Sequence, residues 1–391
     1  MNGTQVAWLD GPGGTQTPHS VIAAMSETLE KGVSNLSAHF APGRDAIAIT
    51  DAARSAMADL LGAERPGEIA FGQNMTSITF STSRAIAHLW HPGDEVIVTR
   101  LDHDANVAPW MLAARDAGAV VRRVDVHDDG TLDLTDLDRN LSDKTRLVAV
   151  TAASNALGTK VDVKEVTRRA HAAGALVYVD AVHSTPHRIL DVADIGCDFL
   201  VCSAYKFFGP HTGVLYGRHD LLEQIDAYKV RPAPDVPPEK WETGTQSFES
   251  LAGVAAAVDY LADLAPLSPD DSRRDRLEAA YGWIGQHESE MASAFLDGIN
   301  SLDDVHLWGV DQIAGRVPTF AVTIDGVHPD VAATRLAEQG IFVWSGDYYA
   351  VEIMVRFGLL KKGGAVRIGF VHYNTLEEVA RVLEGLAALT S

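Results

Sequence analysis

Two residues of opposite charge stand at the ends of two apolar runs. Asp180 closes Ala175-Leu176-Val177-Tyr178-Val179, and Lys206 follows Phe199-Leu200-Val201-Cys202-Ser203-Ala204-Tyr205 and precedes Phe207-Phe208-Gly209-Pro210. A carboxylate, an amine and the hydroxyls of Ser203 and Tyr205 could therefore converge at one edge of a sheet. The amine can form a Schiff base with an aldehyde, and the carboxylate can keep a pyridine nitrogen protonated so that the ring accepts electrons. This is the equipment for holding pyridoxal phosphate. A carboxylate at the end of so apolar a strand is costly unless paired, which calls for a cation, either a pyridinium or a structural salt bridge. Among flanking aromatics, desolvation lowers the pKa expected of Lys206, suiting it to act as nucleophile and then as base.

Other candidates follow the same sheet order. Phe71-Gly72-Gln73-Asn74-Met75-Thr76-Ser77 reads as a strand-to-helix turn whose amides and Thr76 hydroxyl could receive a phosphate, and equally as an ordinary capped helix. His103 lies just past Glu95-Val96-Ile97-Val98-Thr99, where an imidazole could stack on a flat ring or simply cap the next helix. Asn155, after Arg146 to Thr151, is either a donor to a phenolic oxygen or a turn former. His183 follows Asp180 after two residues.

The elements that must position these residues alternate along the chain. Six short β-branched runs, beginning near Glu95, Ala119, Arg146, Ala175, Phe199 and Gly213, are separated by stretches of helical character such as 51–61, 104–117 and 161–173. Nearly continuous apolar strands between helices indicate an α/β fold with a mainly parallel sheet covered on both faces. Such sheets place ligands beyond the carboxyl ends of their strands, where the candidates fall. After the Pro-rich segment 230–238, helices are expected at 248–264 and 273–296. Strands at 319–324 and 366–370 with helices at 329–339 and 376–389 suggest a smaller α+β C-terminal domain. The expected division is a large domain over 18–264 and a small domain from 1–17 plus 265–391.

Composition narrows the functional classes. In 391 residues, 53 acidic against 32 basic side chains give a net charge of −21, which argues against nucleic acid or an anionic membrane as main partner. No uninterrupted apolar run of about 18 residues and no signal-like amino terminus is present, so a soluble cytoplasmic protein is expected. Cys197 and Cys202 are too few for a disulfide framework, lack a metal-type constellation and are expected to pack beside the lysine strand. A dinucleotide site is disfavoured, because no Gly-rich turn of the required spacing follows the first strand.

Asp180-Ala181-Val182-His183, Ser203-Ala204-Tyr205-Lys206 and Phe207-Phe208-Gly209-Pro210-His211-Thr212-Gly213 resemble the cofactor-binding signature of class V aminotransferases, the family of cysteine desulfurases, selenocysteine lyase, kynureninase and isopenicillin N epimerase. Leu9-Asp10-Gly11-Pro12-Gly13-Gly14-Thr15-Gln16 resembles the amino-terminal motif of the cysteine desulfurase-like subgroup. The resemblance implies the aspartate aminotransferase-like fold type I and pyridoxal 5'-phosphate (PLP) as cofactor. It implies Lys206 as Schiff-base lysine, Asp180 as partner of the pyridine nitrogen and His103 as the residue stacked on the ring. Asn155 and His183 would lie near the phenolic oxygen, and Met75, Thr76, Ser203 and Tyr205 at the phosphate. Thr245, in Glu242-Thr243-Gly244-Thr245-Gln246, would reach the phosphate of the neighbouring subunit, implying a homodimer. Arg367 would grip the substrate α-carboxylate.

The departures shape the expected reaction. Tyr205 replaces the His of the desulfurase Ser-x-His-Lys run, and His183 replaces the common Gln; both still form hydrogen bonds. The loop 343–350, Val-Trp-Ser-Gly-Asp-Tyr-Tyr-Ala, contains no cysteine where desulfurases keep their sulfur acceptor. A small α-amino acid is the implied substrate, with C–S lyase-type β-elimination from a cysteine derivative ahead of transamination or epimerisation. True desulfuration ranks lower, as does a noncatalytic binding protein with this fold, since Lys206, Asp180 and Arg367 are all present. Trp344, Tyr348 and Tyr349 suggest either an aromatic-lined pocket or core packing.

Overall fold

The computed structural model describes residues 6–36, 38–265, 268 and 270–390. Its centre is a seven-stranded sheet in the spatial order Ile69–Gly72, Gly213–Gly217, Phe199–Ser203, Leu176–Asp180, Thr145–Thr151, Glu95–Thr99, Val120–Val124. The last five strands run parallel, and only Gly213–Gly217 pairs antiparallel with both its neighbours. Burial on both faces explains the unbroken apolar texture: every residue of Phe199–Ser203 and Gly213–Gly217 is buried. One face packs Val148, Val150, Val177, Val179 and Leu200, and the other Val96, Val98, Trp110, Tyr178 and Phe199.

The expected helices appear with displaced ends. The helix expected at 51–61 begins at Ala41, where Pro42 suits the first turn. The stretch 104–117 divides into a 3-10 turn Asp104–Asn106 and the helix Ala108–Ala117, which ends at Gly118 with φ of 73°. The later elements are Phe248–Ala262, Arg273–Ile299, Thr319–Ile324, Pro329–Glu338, Ala365–Gly369 and Leu376–Thr390.

A second, fully antiparallel sheet has the order Trp344–Gly346, Ala365–Gly369, Thr319–Ile324, Val305–Trp308. Ala7 and Leu9 pack into the apolar cluster beside this sheet, with Phe295, Phe320 and Phe370, and Ala7–Trp8 pairs in parallel with Ile341–Phe342. Residues 7–9 are thereby fixed beside the small sheet before the segment enters the site. Helix Arg273–Ile299 is rooted in both regions: Leu277, Tyr281 and Ile284 join the core of the large sheet, and Met291, Phe295 and Ile299 join the cluster beside the small one. Among the described residues no helix is long and apolar enough to cross a membrane.

Candidate active site

A cavity of about 860 Å³ opens between the carboxyl ends of the parallel strands and the small sheet. Met75, Thr76, His103, Asn155, Asp180, His183, Ser203, Tyr205, Lys206 and Arg367 all line it, although they are spread over nearly 300 positions. Thr245 does not line it and is exposed. The segment leading to Thr245 is nonetheless anchored, because buried Glu242 accepts two 3.1 Å hydrogen bonds from Arg54 and one of 3.0 Å from the Phe71 amide.

Lys206 ends the 3-10 turn Ala204–Lys206 that follows strand Phe199–Ser203. Its ammonium donates to the Pro12 carbonyl and lies 4.8 Å from the centre of the Tyr205 ring. Burial first, and then the Arg367 guanidinium, bring its pKa down to about 7, against the opposing pull of Asp10 and Asp180. The next residues lock this position. Phe208 has φ of 71°, a sparsely populated conformation for a bulky side chain, but it is fully buried against His372, Tyr260 and Tyr373. Thr15 accepts from the Phe208 amide at 2.7 Å and gives both its amide and its hydroxyl to the Tyr205 carbonyl at 3.1 Å.

Asp180 is 3% exposed and accepts a 2.9 Å hydrogen bond from the Val182 amide. Among the described residues no lysine or arginine forms an ion pair with it, and desolvation raises its pKa to about 6. A buried carboxylate in that condition fits a protonated ring nitrogen. The sequence alternative of a structural salt bridge therefore has no protein cation among the described residues.

His103 lines the cavity, and its Nδ1 accepts from the Ala105 amide at 3.0 Å, the capping contact read from the sequence. Burial, Lys206 and Arg367 lower its pKa to about 4, so the ring is neutral at physiological pH. Its loop is held from behind by a buried network in which Thr99 donates to Asp102, Asn106 donates to Asp102 at 2.7 Å and Trp110 donates to Asn106 at 3.1 Å. Desolvation holds the Asp102 carboxyl well above the usual range.

Strand Ile69–Gly72 leads to helix Met75–Ala87, whose Asn74 cap accepts from the Ser77 amide at 2.9 Å. The Met75 amide donates to Ser203 at 2.9 Å, which joins the helix start to the lysine strand. This helix N-terminus, with Thr76, Ser203 and Tyr205 around it, is a suitable cradle for a phosphate. His183 is buried and meets Thr319 at 3.0 Å, and Asn155 donates to the Tyr348 carbonyl at 2.9 Å while its own Oδ1 is buried without a partner among the described residues.

Arg367 is buried and paired with Asp10 at 3.0 Å; it also donates to the Asn155 carbonyl at 3.1 Å and sits 4.7 Å from the centre of the Tyr348 ring. Its Nε is buried without a partner among the described residues. In the sequence Asp10 stands out only as part of a motif, with no role of its own. The signal was the tight Gly11-Pro12-Gly13 turn after it: a methyl group at Gly13 would collide with the Asp10 carboxylate. His211 was likewise only part of a motif, yet it stacks on Tyr205 at 4.6 Å with an 11° interplanar angle.

This architecture defines an α/β enzyme of fold type I, and the sequence profile described as Aminotransferase class-V matches residues 7–382. The chain belongs to the class V aminotransferase family and is a PLP-dependent enzyme. An uncharacterised protein of Mycobacterium tuberculosis is 33% identical, covering 97% of this chain and 94% of the relative. A cysteine desulfurase of Pectobacterium atrosepticum is 30% identical, covering 99% and 93%. Among solved structures, the apo cysteine desulfurase of Thermococcus onnurineus superposes with a TM-score of 0.89 at 27% identity, covering 98% of this chain and 94% of that one.

Proposed function

We propose that this enzyme breaks the C–S bond of a cysteine-derived α-amino acid by β-elimination, releasing a thiol, pyruvate and ammonia with uptake of one water. One observation sets elimination ahead of desulfuration. The cavity wall at loop 343–350 is built of Trp344, Tyr348 and Tyr349, while Cys197 and Cys202 are 1% and 0% exposed in the core under the lysine strand. Burial raises the pKa of both thiols, so neither is a mobile sulfur acceptor.

PLP, when bound, supplies an aldehyde for amine capture and a ring that takes up electrons from Cα. Lys206 would hold the aldehyde, Asp180 the ring nitrogen, His103 the ring face, and Asn155 and His183 the phenolic oxygen. Met75, Thr76, Ser203 and Tyr205 would hold the phosphate, joined by Thr245 from the second subunit of a homodimer. Arg367 would orient the substrate carboxylate through its buried, unpartnered Nε. With a pKa near 7, the Lys206 amine is partly neutral at working pH and suited to take the Cα proton. The thiolate then departs from Cβ with the C–S electron pair, and the enamine product hydrolyses.

Incubating the holoenzyme with S-substituted cysteines and measuring pyruvate and thiol tests this. Equal yields of the two without any added keto acid are expected. A 2-oxo acid formed only with a co-substrate keto acid would make the enzyme an aminotransferase, and alanine plus persulfide from free cysteine would make it a desulfurase.

A further inference from the structure

We infer that Trp344 and Tyr349 form an aromatic platform for the group attached beyond Cβ, so that the preferred substrates are cysteine S-conjugates with an aromatic or branched apolar substituent. This rests on the elimination reading above. Loop 343–350 is a wall between two hollows: the 860 Å³ cavity and a groove of about 310 Å³ that also touches Leu360, Gly363 and Gly364. Trp344, Tyr348 and Tyr349 belong to both.

The two tyrosines are used differently. Tyr348 is buried, its hydroxyl donates to the Ala365 carbonyl and its ring lies under Arg367. Tyr349 is 71% exposed and Trp344 56%. Both tyrosines have left-handed backbones, φ of 55° and 56°, which bulky residues adopt only where the surroundings over-determine them. Here the surroundings do so. Asn155 donates to the Tyr348 carbonyl at 2.9 Å, the Asp104 amide to the Tyr349 carbonyl at 2.6 Å, and the Tyr349 amide to Asp347 at 2.9 Å. The result turns one ring in beneath the guanidinium and the next out into the mouth, 5.5 Å from the His103 ring with 26° between planes.

Register ties this platform to the carboxylate site. Trp344 and Arg367 are direct partners across the antiparallel pair, so their side chains share one face of the small sheet. A substrate whose carboxylate meets Arg367 therefore has its side chain beside Trp344 and Tyr349. Along the groove Gly364 lets its segment approach Gly346 closely, since a side chain there would run into the Gly346 carbonyl. Among the described residues Asp347 is the sole charged one lining the groove, which disfavours an anionic substituent. Fixed, half-wet aromatic faces gain when covered by an apolar group.

The test compares S-methylcysteine, S-benzylcysteine and S-carboxymethylcysteine as substrates of the holoenzyme. The expected kcat/KM for the benzyl compound exceeds that for the methyl compound by about tenfold or more, carried mainly by KM, with the carboxymethyl compound poorest. Tyr349→Ala and Trp344→Ala should bring the benzyl-to-methyl ratio close to one, while Tyr349→Phe keeps it. Binding of α-methyl-S-benzylcysteine, which lacks the α-proton, should weaken about tenfold in Tyr349→Ala by calorimetry. Equal kcat/KM for benzyl and methyl compounds, or a ratio unmoved in both alanine variants, overturns the inference. So does a homodimer weakened by the alanine substitutions with the ratio unchanged, because a second copy then covers the rings. If no S-substituted cysteine yields pyruvate, the elimination reading fails separately. Preferential binding of the α-methyl benzyl analogue over its methyl counterpart would then keep the platform, and equal binding would remove it.

Discussion

Phe208 and Tyr349 are both aromatic residues in left-handed backbone conformations on loops beside the same cavity, with φ of 71° and 56°. Phe208 is fully buried and packs against three aromatic rings; Tyr349 is mostly exposed and stacks on one. The first kind of strain is offset by packing and fixes the segment after Lys206, the residue proposed to carry the chemistry. The second is held by three main-chain anchors and presents a surface. In the proposed reading, the shared steps belong to a rigid sheet edge and discrimination among substrates to the loop.

The contrast can be broken most severely at the lysine itself. Lys206→Ala is expected to lower turnover by about a thousandfold or more, and borohydride treatment should then leave no cofactor mass on the chain. Next, Phe208→Ala should cost about 3–5 kcal/mol in denaturant unfolding, because it empties a core site, whereas Tyr349→Ala should stay within about 0.5 kcal/mol. Similar losses in both variants would show that the two strained positions are not different in kind.

A smaller effect is expected at Asp10, which is paired with the Arg367 guanidinium that the proposed function assigns to the substrate carboxylate. Asp10→Asn should lower KM for the amino-acid substrate by roughly fivefold through relief of like-charge repulsion, with kcat changed less, as read from initial rates. A raised KM would instead make Asp10 the residue that holds Arg367 in its productive pose.

The smallest effect concerns pH in the cofactor-free protein. The Lys206 pKa is lowered from 10.5 to about 7, so between those values the unfolded chain binds more protons and stability should rise with pH, being lost as pH falls through about 7. The Asp180 pKa is raised from 3.8 to about 6, so between those values the folded chain binds more protons and stability should fall as pH rises. His103, whose pKa is lowered from 6.5 to about 4, has the opposite slope over nearly the same range and offsets Asp180. Thermal melts should therefore change little below about pH 7 and rise by a few degrees above it, and Lys206→Ala should remove the alkaline rise.

Much of the rigid edge was legible because local signals agree there. Apolar runs ending in Asp180 and leading to Lys206 obey strand periodicity, and Thr319–Ile324 falls on its expected residues. The helix His19–Lys31 went unread: its apolar face is short, with Ile22 and Leu29 exposed, and no side chain caps it. Strand Trp344–Gly346 was hidden by its three-residue length and by a glycine with φ of 121°. The Asp10–Arg367 pair joins residues 357 positions apart, and no spacing rule announces such a partner. Tyr348 and Tyr349 are adjacent and chemically identical, and only the backbone decides that one faces a guanidinium and the other water.

Helix Arg273–Ile299, 27 residues and therefore about 40 Å long, has its first half locked in one apolar core and its second half in the other. Its midpoint is pinned by the buried Glu288–His187 contact at 3.0 Å. Melting either half would expose the other, so heating should give one cooperative endotherm with a van't Hoff enthalpy equal to the calorimetric one. A rigid helix shared by both cores would leave side-chain and loop adjustment as the way for the mouth between the sheets to change width.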